Sequence, residues 1–265
     1  MKNLLIIAII LIACSHPRGE QASVPVAETD TESTPNTAIQ KKTSAESDAK
    51  AESSPKTERD TVPLSATARS MERQGMVNVQ RLDPTIEVSL MYSRPDNFTG
   101  RVLYDDLREG YLHPKAAQAL VKAQKRLKEL RPDLSLIIFD ATRPMSIQQK
   151  MWDVVKNTPK YFYVSNPARG GGMHNYGMAV DISICKVGGD TIPMGAKVDF
   201  MGDLSHIDHE AQLVAQHRIT AEAKANRELL REAMAAGGFR PLRTEWWHFN
   251  LCSRQEAKRL YKVIK

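Results

Sequence analysis

The first 64 residues contain no aromatic side chain, although the chain of 265 residues carries 6 Phe, 3 Trp and 7 Tyr, beginning with Tyr92. Folding requires enough buried apolar surface to offset roughly 1–2 kcal/mol of backbone entropy per residue, and this first quarter has too little. Cysteine is scarce, with three residues, and the long apolar run at residues 4–13 is confined to the amino terminus. These absences exclude a chain that is globular from end to end and a polytopic membrane protein.

The amino terminus has the pattern of an export signal. Lys2 is followed by the apolar run and then by Cys14, and such a run is too short to cross about 30 Å of hydrocarbon. Residues 11–14, Leu-Ile-Ala-Cys, resemble the lipobox of bacterial lipoproteins. The resemblance implies that residues 1–13 are a signal peptide and that Cys14 is lipidated. The chain would then be an exported, membrane-anchored lipoprotein facing the periplasm, at the outer membrane if the cell is Gram-negative, because Ser15 follows the cysteine. An ordinary signal peptide and an uncleaved anchor are the alternatives.

Residues 14–65 are predicted to be the lipidated cysteine and a disordered linker, because Ser, Thr, Ala, Glu, Lys and Pro dominate the segment. Residues 15–64 hold six basic and nine acidic side chains, whereas residues 65–265 carry a formal charge of +8. That charge does not indicate a nucleic-acid partner, because the chain has no alternation of basic and aromatic residues and carries an export signal. The sequence identifies no protein partner.

Residues 66–265 are predicted to form a single α+β domain with a central, largely antiparallel sheet flanked by helices. Strands and helices do not alternate in βαβ order, which disfavours a parallel sheet. Apolar alternation and compact apolar runs predict strands near 76–79, 86–91, 134–141, 179–184 and 245–251. Helical spacing and starting prolines predict helices near 114–130, 144–155, 220–236 and the carboxyl terminus.

Three side chains suited to zinc lie in or just before two of the predicted strands: His174, Asp181 and His248. A catalytic zinc takes three such ligands and leaves its fourth position to water. His174 and Asp181 are seven residues apart and would face opposite sides of one strand, so we expect the chain to turn at Gly177. Glu245 and His248 are three apart, which requires a bend at Glu245. A single histidine is more commonly structural, so the interpretation depends on the segments taken together.

The motif His174-x-x-Gly177-x-Ala179-x-Asp181 is followed by Glu-Trp-Trp-His-Phe at residues 245–249. Together they resemble the zinc D-alanyl-D-alanine dipeptidases, which include the vancomycin-resistance dipeptidases. Matching blocks at 97–100, 142–144, 194–206 and 226–239 extend the resemblance over about residues 76–255. It implies a site at the sheet that holds one zinc ion per domain.

The resemblance also implies a role for each residue of the site. His174, Asp181 and His248 would hold the zinc ion, Glu245 would act as general base toward a water on the metal, and Arg143 would stabilise the oxyanion. The chain would be a metallopeptidase that hydrolyses D-Ala-D-Ala or a related cell-wall dipeptide. Burial should raise the pKa of the Glu245 carboxyl and a nearby cation should lower it. A surface ion pair is the alternative reading of Arg143.

Gly172 departs from the family pattern, because members usually carry Ser two residues before the first zinc histidine. The departure leaves the zinc chemistry intact but weakens the expectation of strict D-Ala-D-Ala specificity. Met173 and Tyr176 would then shape the substrate pocket, and Trp247 would line it beside the metal. A zinc peptidase of altered specificity and a non-catalytic cell-wall-binding module are the alternatives, and retention of the base and the arginine argues against the module.

Two further groups carry reactive side chains. His206, Asp208 and His209 have a spacing that fits a helix face and permits a second metal site, but we favour structural or pocket support. Cys185 and Cys252 each lie four residues after a predicted zinc ligand. Antiparallel pairing of their strands would separate the two thiols, so we expect no disulfide even in an oxidising compartment.

Overall fold

The computed structural model describes residues 63–265, and these residues form the expected mixture of helices and antiparallel strands. The predicted signal peptide 1–13, Cys14 and nearly all of the predicted linker lie outside the described residues. Within residues 63–265, no helix has both the length and the apolar character needed to cross a bilayer.

Helices and strands follow one another without a βαβ repeat. The helices are α1 Ala66–Arg73, α2 Val79–Leu82, α3 Pro114–Leu130, α4 Met145–Val155, α5 Glu210–Ala215, α6 Ala221–Ala236 and α7 Arg254–Leu260. The strands are β1 Val77–Asn78, β2 Glu87–Val88, β3 Tyr111–Leu112, β4 Leu134–Asp140, β5 Ala179–Lys186, β6 Arg240–Leu242 and β7 Glu245–Asn250. Short 3-10 turns occupy several of the connections.

The main sheet has the strand order β2-β4-β5-β7-β6. Only β2 and β4 run parallel among its pairs, so the sheet is largely antiparallel, as predicted. In the register of the central strands, Asp181 on β5 pairs with Asp140 on β4 and with His248 on β7. The sheet therefore lines up three polar residues in one row across its middle. β1 and β3 form a separate antiparallel pair.

The apolar core lies between the sheet and helices α3 and α6, which pack against each other and against the central strands. Val180, Ile182 and Ile184 alternate along β5 and are fully buried, as one face of a covered strand requires. The small residues of α3 allow close approach: a Cβ at Gly237, just after α6, would lie 2.3 Å from the Ala119 carbonyl oxygen. This packing holds the row of polar residues on a rigid support.

The strands near residues 76–79 and 86–91 are shorter than the sequence predicts. Asn78 ends β1 because its side-chain oxygen accepts a hydrogen bond from the Gln80 backbone N–H (3.0 Å) and caps α2. Such Asx caps compete with extended structure. The pattern of alternation was therefore present, but a local polar side chain redirected the backbone.

The last helix ends earlier than predicted, at Leu260, and the final residues cross the domain instead. The Ile264 N–H donates to the Asn175 carbonyl (2.8 Å), and the Ile264 carbonyl accepts from Met145 N–H (2.9 Å). The chain end therefore fastens α4 to the turn that carries His174.

The cysteines behave as predicted. Because β5 and β7 are antiparallel and Asp181 pairs with His248, the positions four residues beyond each lie toward opposite ends of the pair. Cys185 is buried, Cys252 is partly buried, and both thiols are free. The expectation of two separate thiols is confirmed.

Candidate active site

His174 lies on a 3-10 turn, Met173–Tyr176, that Gly177 ends. Gly177 has φ +66°, a left-handed conformation that glycine adopts without strain, and a Cβ there would lie 2.8 Å from the His113 backbone nitrogen. The predicted turn at Gly177 is therefore present. It places the imidazole of His174 beside the start of β5, the strand that carries Asp181.

Glu245 opens β7 directly after a tight turn from β6. Leu242 pairs with Glu245 while the preceding Pro241 pairs with Phe249, so β7 carries three residues without partners on β6. This irregularity is the predicted bend. It allows Glu245 and His248, which would face opposite sides of a regular strand, to line the same cleft.

Three ligand atoms converge at the bottom of this cleft. His174 Nε2 lies 3.2 Å from His248 Nδ1 and 3.3 Å from Asp181 Oδ1, and His248 Nδ1 lies 2.9 Å from the same carboxylate oxygen. Atoms that ligate one tetrahedral zinc at bond lengths of about 2.0–2.1 Å lie about 3.3–3.4 Å apart. The triangle therefore has the size that a single zinc ion requires.

The hydrogen bonds behind the two imidazoles set their tautomers. His174 Nδ1 lies 2.7 Å from the Ala141 carbonyl oxygen and must donate its proton there, and His248 Nε2 lies 3.0 Å from Asn250 Oδ1 and donates likewise. The nitrogens that face each other are then bare lone pairs, beside the carboxylate of Asp181. Three acceptors with no proton between them repel one another, so this donor set fits a bound cation.

Arg143 is buried at the edge of the same cleft, 8% exposed. Its Nε donates to Asp140 Oδ2 (2.9 Å) and its Nη1 to Gln148 Oε1 (2.9 Å), while Tyr104 OH donates to the other Asp140 oxygen (2.7 Å). Burial alone would lower the pKa of Arg143, but the carboxylate of Asp140 raises it well above the usual value. The guanidinium is thus a fixed cation in an interior ion pair, not the partner in a surface one.

Comparison with known proteins agrees with this geometry. A family model described as D-ala-D-ala dipeptidase matches residues 72–265. This chain belongs to the D-Ala-D-Ala dipeptidase family. Its curated relatives include D-alanyl-D-alanine dipeptidases from three organisms. The Escherichia coli K12 protein is 33% identical in an alignment that covers 66% of this chain and 84% of the relative. The Streptomyces coelicolor protein is 31% identical, with 65% of this chain and 89% of the relative covered. The Enterococcus faecium protein is 29% identical, with 60% of this chain and 83% of the relative covered. Membership makes the chain a dipeptide-hydrolysing peptidase and confirms the resemblance drawn from its motifs.

The cleft of this dipeptidase is small, with a volume of about 290 Å³. Of the three predicted pocket residues, Met173 and Trp247 line it together with the predicted ligands, Glu245 and Arg143. Tyr176 does not line it. Its ring is buried and its hydroxyl donates to the Gly170 carbonyl (3.1 Å), which ties down the preceding loop.

The hydroxyl of Ser165 lies next to Gly172 in the cleft of the dipeptidase. A Cβ at Gly172 would lie 2.9 Å from Ser165 Oγ and 3.2 Å from Ser165 Cβ, and both residues line the cleft. Gln148 Nε2 donates to the Ser165 carbonyl (2.8 Å), and the Gly172 N–H donates to Asn175 Oδ1 (2.7 Å). The space that a side chain at position 172 would need is therefore filled by Ser165, from a different loop.

Asp199 is a cleft residue that sequence reasoning missed. Its Oδ1 accepts from Tyr92 OH (3.1 Å) and its Oδ2 from the Phe98 N–H (3.1 Å). Its φ of +69° is unusual for a residue other than glycine, and such strain is found most often at functional sites. The only sequence signal was its presence in one of the blocks that match the dipeptidases.

Two carboxyl groups of the dipeptidase cleft have strongly raised pKa values. Burial raises the pKa of Glu245 to about 7; the Asp181 and Asp199 carboxylates add to the shift, whereas His248 opposes it. Burial likewise raises the pKa of Asp199 to about 7, against the hydrogen bond from Phe98 N–H. For Asp181 burial also opposes ionisation, but positive charge at His174 and His248, which a cation held between them would supply instead, outweighs burial and holds its pKa below the usual range. The cleft thus holds one permanent anion and two carboxyls that titrate near neutral pH.

Proposed function

We propose that this dipeptidase is zinc-dependent and hydrolyses D-Ala-D-Ala or a related cell-wall dipeptide. The observation that carries the proposal is the convergence of three bare ligand atoms, separated by 2.9–3.3 Å, with Glu245 and Arg143 in one cleft. The names of the curated relatives supply the substrate, D-alanyl-D-alanine. A cleft of about 290 Å³ lies near the small end of ligand sites, which suits a dipeptide better than a longer chain.

His174, Asp181 and His248 would hold the zinc ion, one per site. Bound there, zinc supplies Lewis acidity: it polarises the scissile carbonyl and lowers the pKa of water. The contacts to Ala141 and Asn250 orient both imidazoles so that the other nitrogen of each ring faces the proposed metal.

Glu245 is the proposed general base. Its carboxylate accepts a proton from the attacking water and returns it to the leaving amine. Burial raises the pKa of its carboxyl to about 7, and a zinc ion in the adjacent site would lower it again, which favours the ionised form that a general base needs. His248 Nδ1 lies 3.9 Å from Glu245 Oε2, so the base stands directly beside the proposed metal site.

Arg143 is the proposed oxyanion donor. Its Nε and Nη2 donate to Asp140 and its Nη1 donates to Gln148. These bonds fix the orientation of the guanidinium with its positive charge at the cleft, and each Nη keeps a second N–H for an oxyanion. A donor that is already oriented stabilises developing negative charge without reorganisation.

Asp199 is the proposed partner of the substrate's free ammonium. It lines the cleft and is the anionic group there that the proposed metal and base do not use. A buried ammonium requires an ionised, hydrogen-bonded partner, and the bonds from Tyr92 and Phe98 orient its carboxylate. Because Asp199 would bind the ammonium at the amino end of the substrate, the cleft would favour peptides whose free amine lies next to the scissile bond.

The test is turnover by the purified full chain of D-Ala-D-Ala, D-Ala-L-Ala and L-Ala-D-Glu, with and without a chelator. We expect D-Ala-D-Ala to be hydrolysed, the chelator to abolish the rate, zinc to restore it, and Glu245→Ala to lower kcat by about 10²–10⁴-fold with metal content unchanged. Glu228→Ala, on the exposed side of α6, is the matched control. Activity that survives both the chelator and Glu245→Ala would refute the zinc mechanism. Turnover only of another dipeptide would favour altered specificity, and no turnover at all would favour a wall-binding module.

We also propose that the chain is exported and anchored to a membrane facing the periplasm through lipidated Cys14. The support is the short apolar run, residues 4–13, followed by a lipobox-like sequence. Labelling cells with a radioactive fatty acid should mark the wild-type protein in the membrane fraction, whereas Cys14→Ala should be unlabelled and released. Equal labelling of the two forms would contradict the anchor.

A further inference from the structure

A second group of metal-ligating side chains lies outside the cleft. We define the surface cluster as His206, Asp208 and His209, whose potential ligand atoms all lie within 4.8 Å of one another. None of the three lines the cleft. We propose that the surface cluster is a second binding site, specific for a divalent transition metal such as zinc, in which two imidazoles and one carboxylate ligate the ion.

The first support is an unsatisfied nitrogen. His206 Nδ1 is buried and has no hydrogen-bond partner; its nearest carboxylate oxygen, Asp208 Oδ1, lies 3.8 Å away, too far for a hydrogen bond. A buried polar nitrogen left without a partner costs stability. Coordination of a cation between these two atoms would satisfy the lone pair.

The second support is the orientation of His209. Its Nδ1 lies 2.5 Å from Asp203 Oδ1, and Arg218 Nη1 donates to the other oxygen of the same carboxylate (2.6 Å). Asp203 is thereby kept ionised and fixes the proton of His209 on Nδ1. The other nitrogen, Nε2, then presents a lone pair at 3.9 Å from Asp208 Oδ1. A carboxylate behind an imidazole is the usual arrangement at histidine metal sites.

The kind of metal follows from the charges. Asp203 is paired with Arg218, and Asp208 Oδ2 accepts from Arg243 Nη1 (2.9 Å), so the surroundings carry no excess negative charge to attract calcium or magnesium. Binding must come from imidazole nitrogens, which select zinc, copper or nickel over those hard cations. Closing the two imidazole–carboxylate separations, 3.8 and 3.9 Å, to tetrahedral spacing needs a contraction of about 0.5 Å. The two imidazole nitrogens lie within 4.8 Å of each other and must approach by up to about 1.4 Å, which needs a change of rotamer in partly exposed side chains.

The loop that carries the surface cluster contacts the turn that precedes the proposed base. The Ile207 N–H donates to the Arg243 carbonyl (2.9 Å), and the Arg243 side chain bonds Asp208. Arg243 and Thr244 form the turn between β6 and β7, and Glu245 follows at once. Because all three proposed ligands lie within residues 206–209, the metal would fix the conformation of this loop where it contacts the turn, and its removal should loosen the loop.

The test counts metal ions. Full-length protein stripped with chelator is titrated with zinc chloride and with cobalt chloride, and stoichiometry is read by calorimetry and by the cobalt absorption spectrum. We expect two ions for the wild type, one for His209→Gln, one for His248→Ala and none for the double variant. His217 is an exposed histidine outside the cluster with a left-handed φ, which asparagine also adopts. The control variant His217→Asn should therefore still bind two ions.

Stability gives an independent readout. In the His248→Ala background zinc should raise the Tm, whereas adding His209→Gln should abolish the rise, and Asp208→Asn serves as a second variant should His209→Gln fold poorly. The proposal is overturned if wild type and His209→Gln bind the same number of ions, or if zinc affinity of His248→Ala changes less than about threefold on adding either cluster variant. Because the readouts are stoichiometry and Tm, the result is independent of whether the cleft proves catalytic.

Discussion

Arg143, which lines the proposed catalytic cleft, forms an ion pair with Asp140 buried behind it, with 2.9 Å between Arg143 Nε and Asp140 Oδ2. Asp140 is wholly buried, and its second oxygen accepts from Tyr104 OH. Asp140 also pairs across the sheet with Asp181, and its Oδ2 lies 3.7 Å from His174 Nδ1. One carboxylate thus connects the proposed oxyanion donor to the row of proposed ligands.

We predict that Asp140 is a positioning residue for Arg143. Asp140→Asn should lower kcat on D-Ala-D-Ala by about 10²–10³-fold, the cost of misplacing one oxyanion donor, with KM and metal content changed much less. Gln148→Leu, which removes one contact to the guanidinium, should have a smaller effect, about tenfold. Asp153→Asn, in an exposed pair with Lys156, is the control. Steady-state kinetics with metal analysis checks this, and an unchanged kcat in Asp140→Asn would contradict it.

We predict that Asn250 tunes metal affinity without contacting the ion. Its side-chain oxygen accepts the His248 Nε2 proton, so Asn250→Ala should release the tautomer and weaken zinc binding by about 10–100-fold. Competition against a fluorescent chelator measures the Kd. Asn226→Ala, whose amide bonds a backbone carbonyl elsewhere on the surface, should leave the Kd unchanged, and equal affinities for the two variants would be evidence against this tautomer.

The sequence predicted much of the site because the residues within each motif lie close together. Their spacing requires local irregularities in the backbone that can be recognised from the sequence. The odd spacing of His174 and Asp181 predicted a turn at Gly177, and the short spacing of Glu245 and His248 predicted the β6–β7 bend. Asp199, by contrast, reaches the cleft through contacts with residues more than 100 positions earlier, Tyr92 and Phe98. No local pattern encodes such contacts. The prediction that Tyr176 lines the pocket was wrong for the opposite reason. Tyr176 is close to His174 in sequence, but its ring is buried and its hydroxyl bonds the loop at Gly170.

We predict opposite effects of Asp199→Asn on activity and on stability. The folded-state pKa is raised from 3.8 to about 7, so ionisation favours the unfolded state, and the cost grows as pH rises between these values and is complete above 7. At pH 8, in chelator-treated protein, the variant should be more stable by on the order of 2–4 kcal/mol, and the gain should vanish near pH 4. Hydrolysis should fall by about 10²-fold or more, because the proposed ammonium partner is lost.

Urea unfolding of both proteins at pH 4, 6 and 8 measures the stability difference. Asp133→Asn is the control of opposite sign, because its exposed carboxyl has a lowered pKa through Arg131, and neutralising it should not stabilise the protein at pH 8. A stability difference between the wild type and Asp199→Asn that stays constant from pH 4 to 8 would contradict the raised pKa of Asp199.

We predict that Gly172 and Ser165 act as a pair in setting dipeptide specificity. A side chain at position 172 would collide with Ser165, since the Cβ would lie 2.9 Å from its Oγ. Gly172→Ser should therefore displace Ser165 and lower kcat/KM for D-Ala-D-Ala by about tenfold, because a displacement near the reacting groups is costly. The double variant Gly172→Ser, Ser165→Gly moves the hydroxyl to position 172 without the collision and should recover most of the loss. Ser165→Gly alone leaves the space empty and should widen acceptance of D-Ala-L-Ala.

Measuring kcat/KM of the single and double variants on both dipeptides completes a double-mutant cycle. We expect a coupling energy between the two positions of about 1 kcal/mol or more, as for residues in contact. Additive effects would mean that the two positions shape the pocket independently.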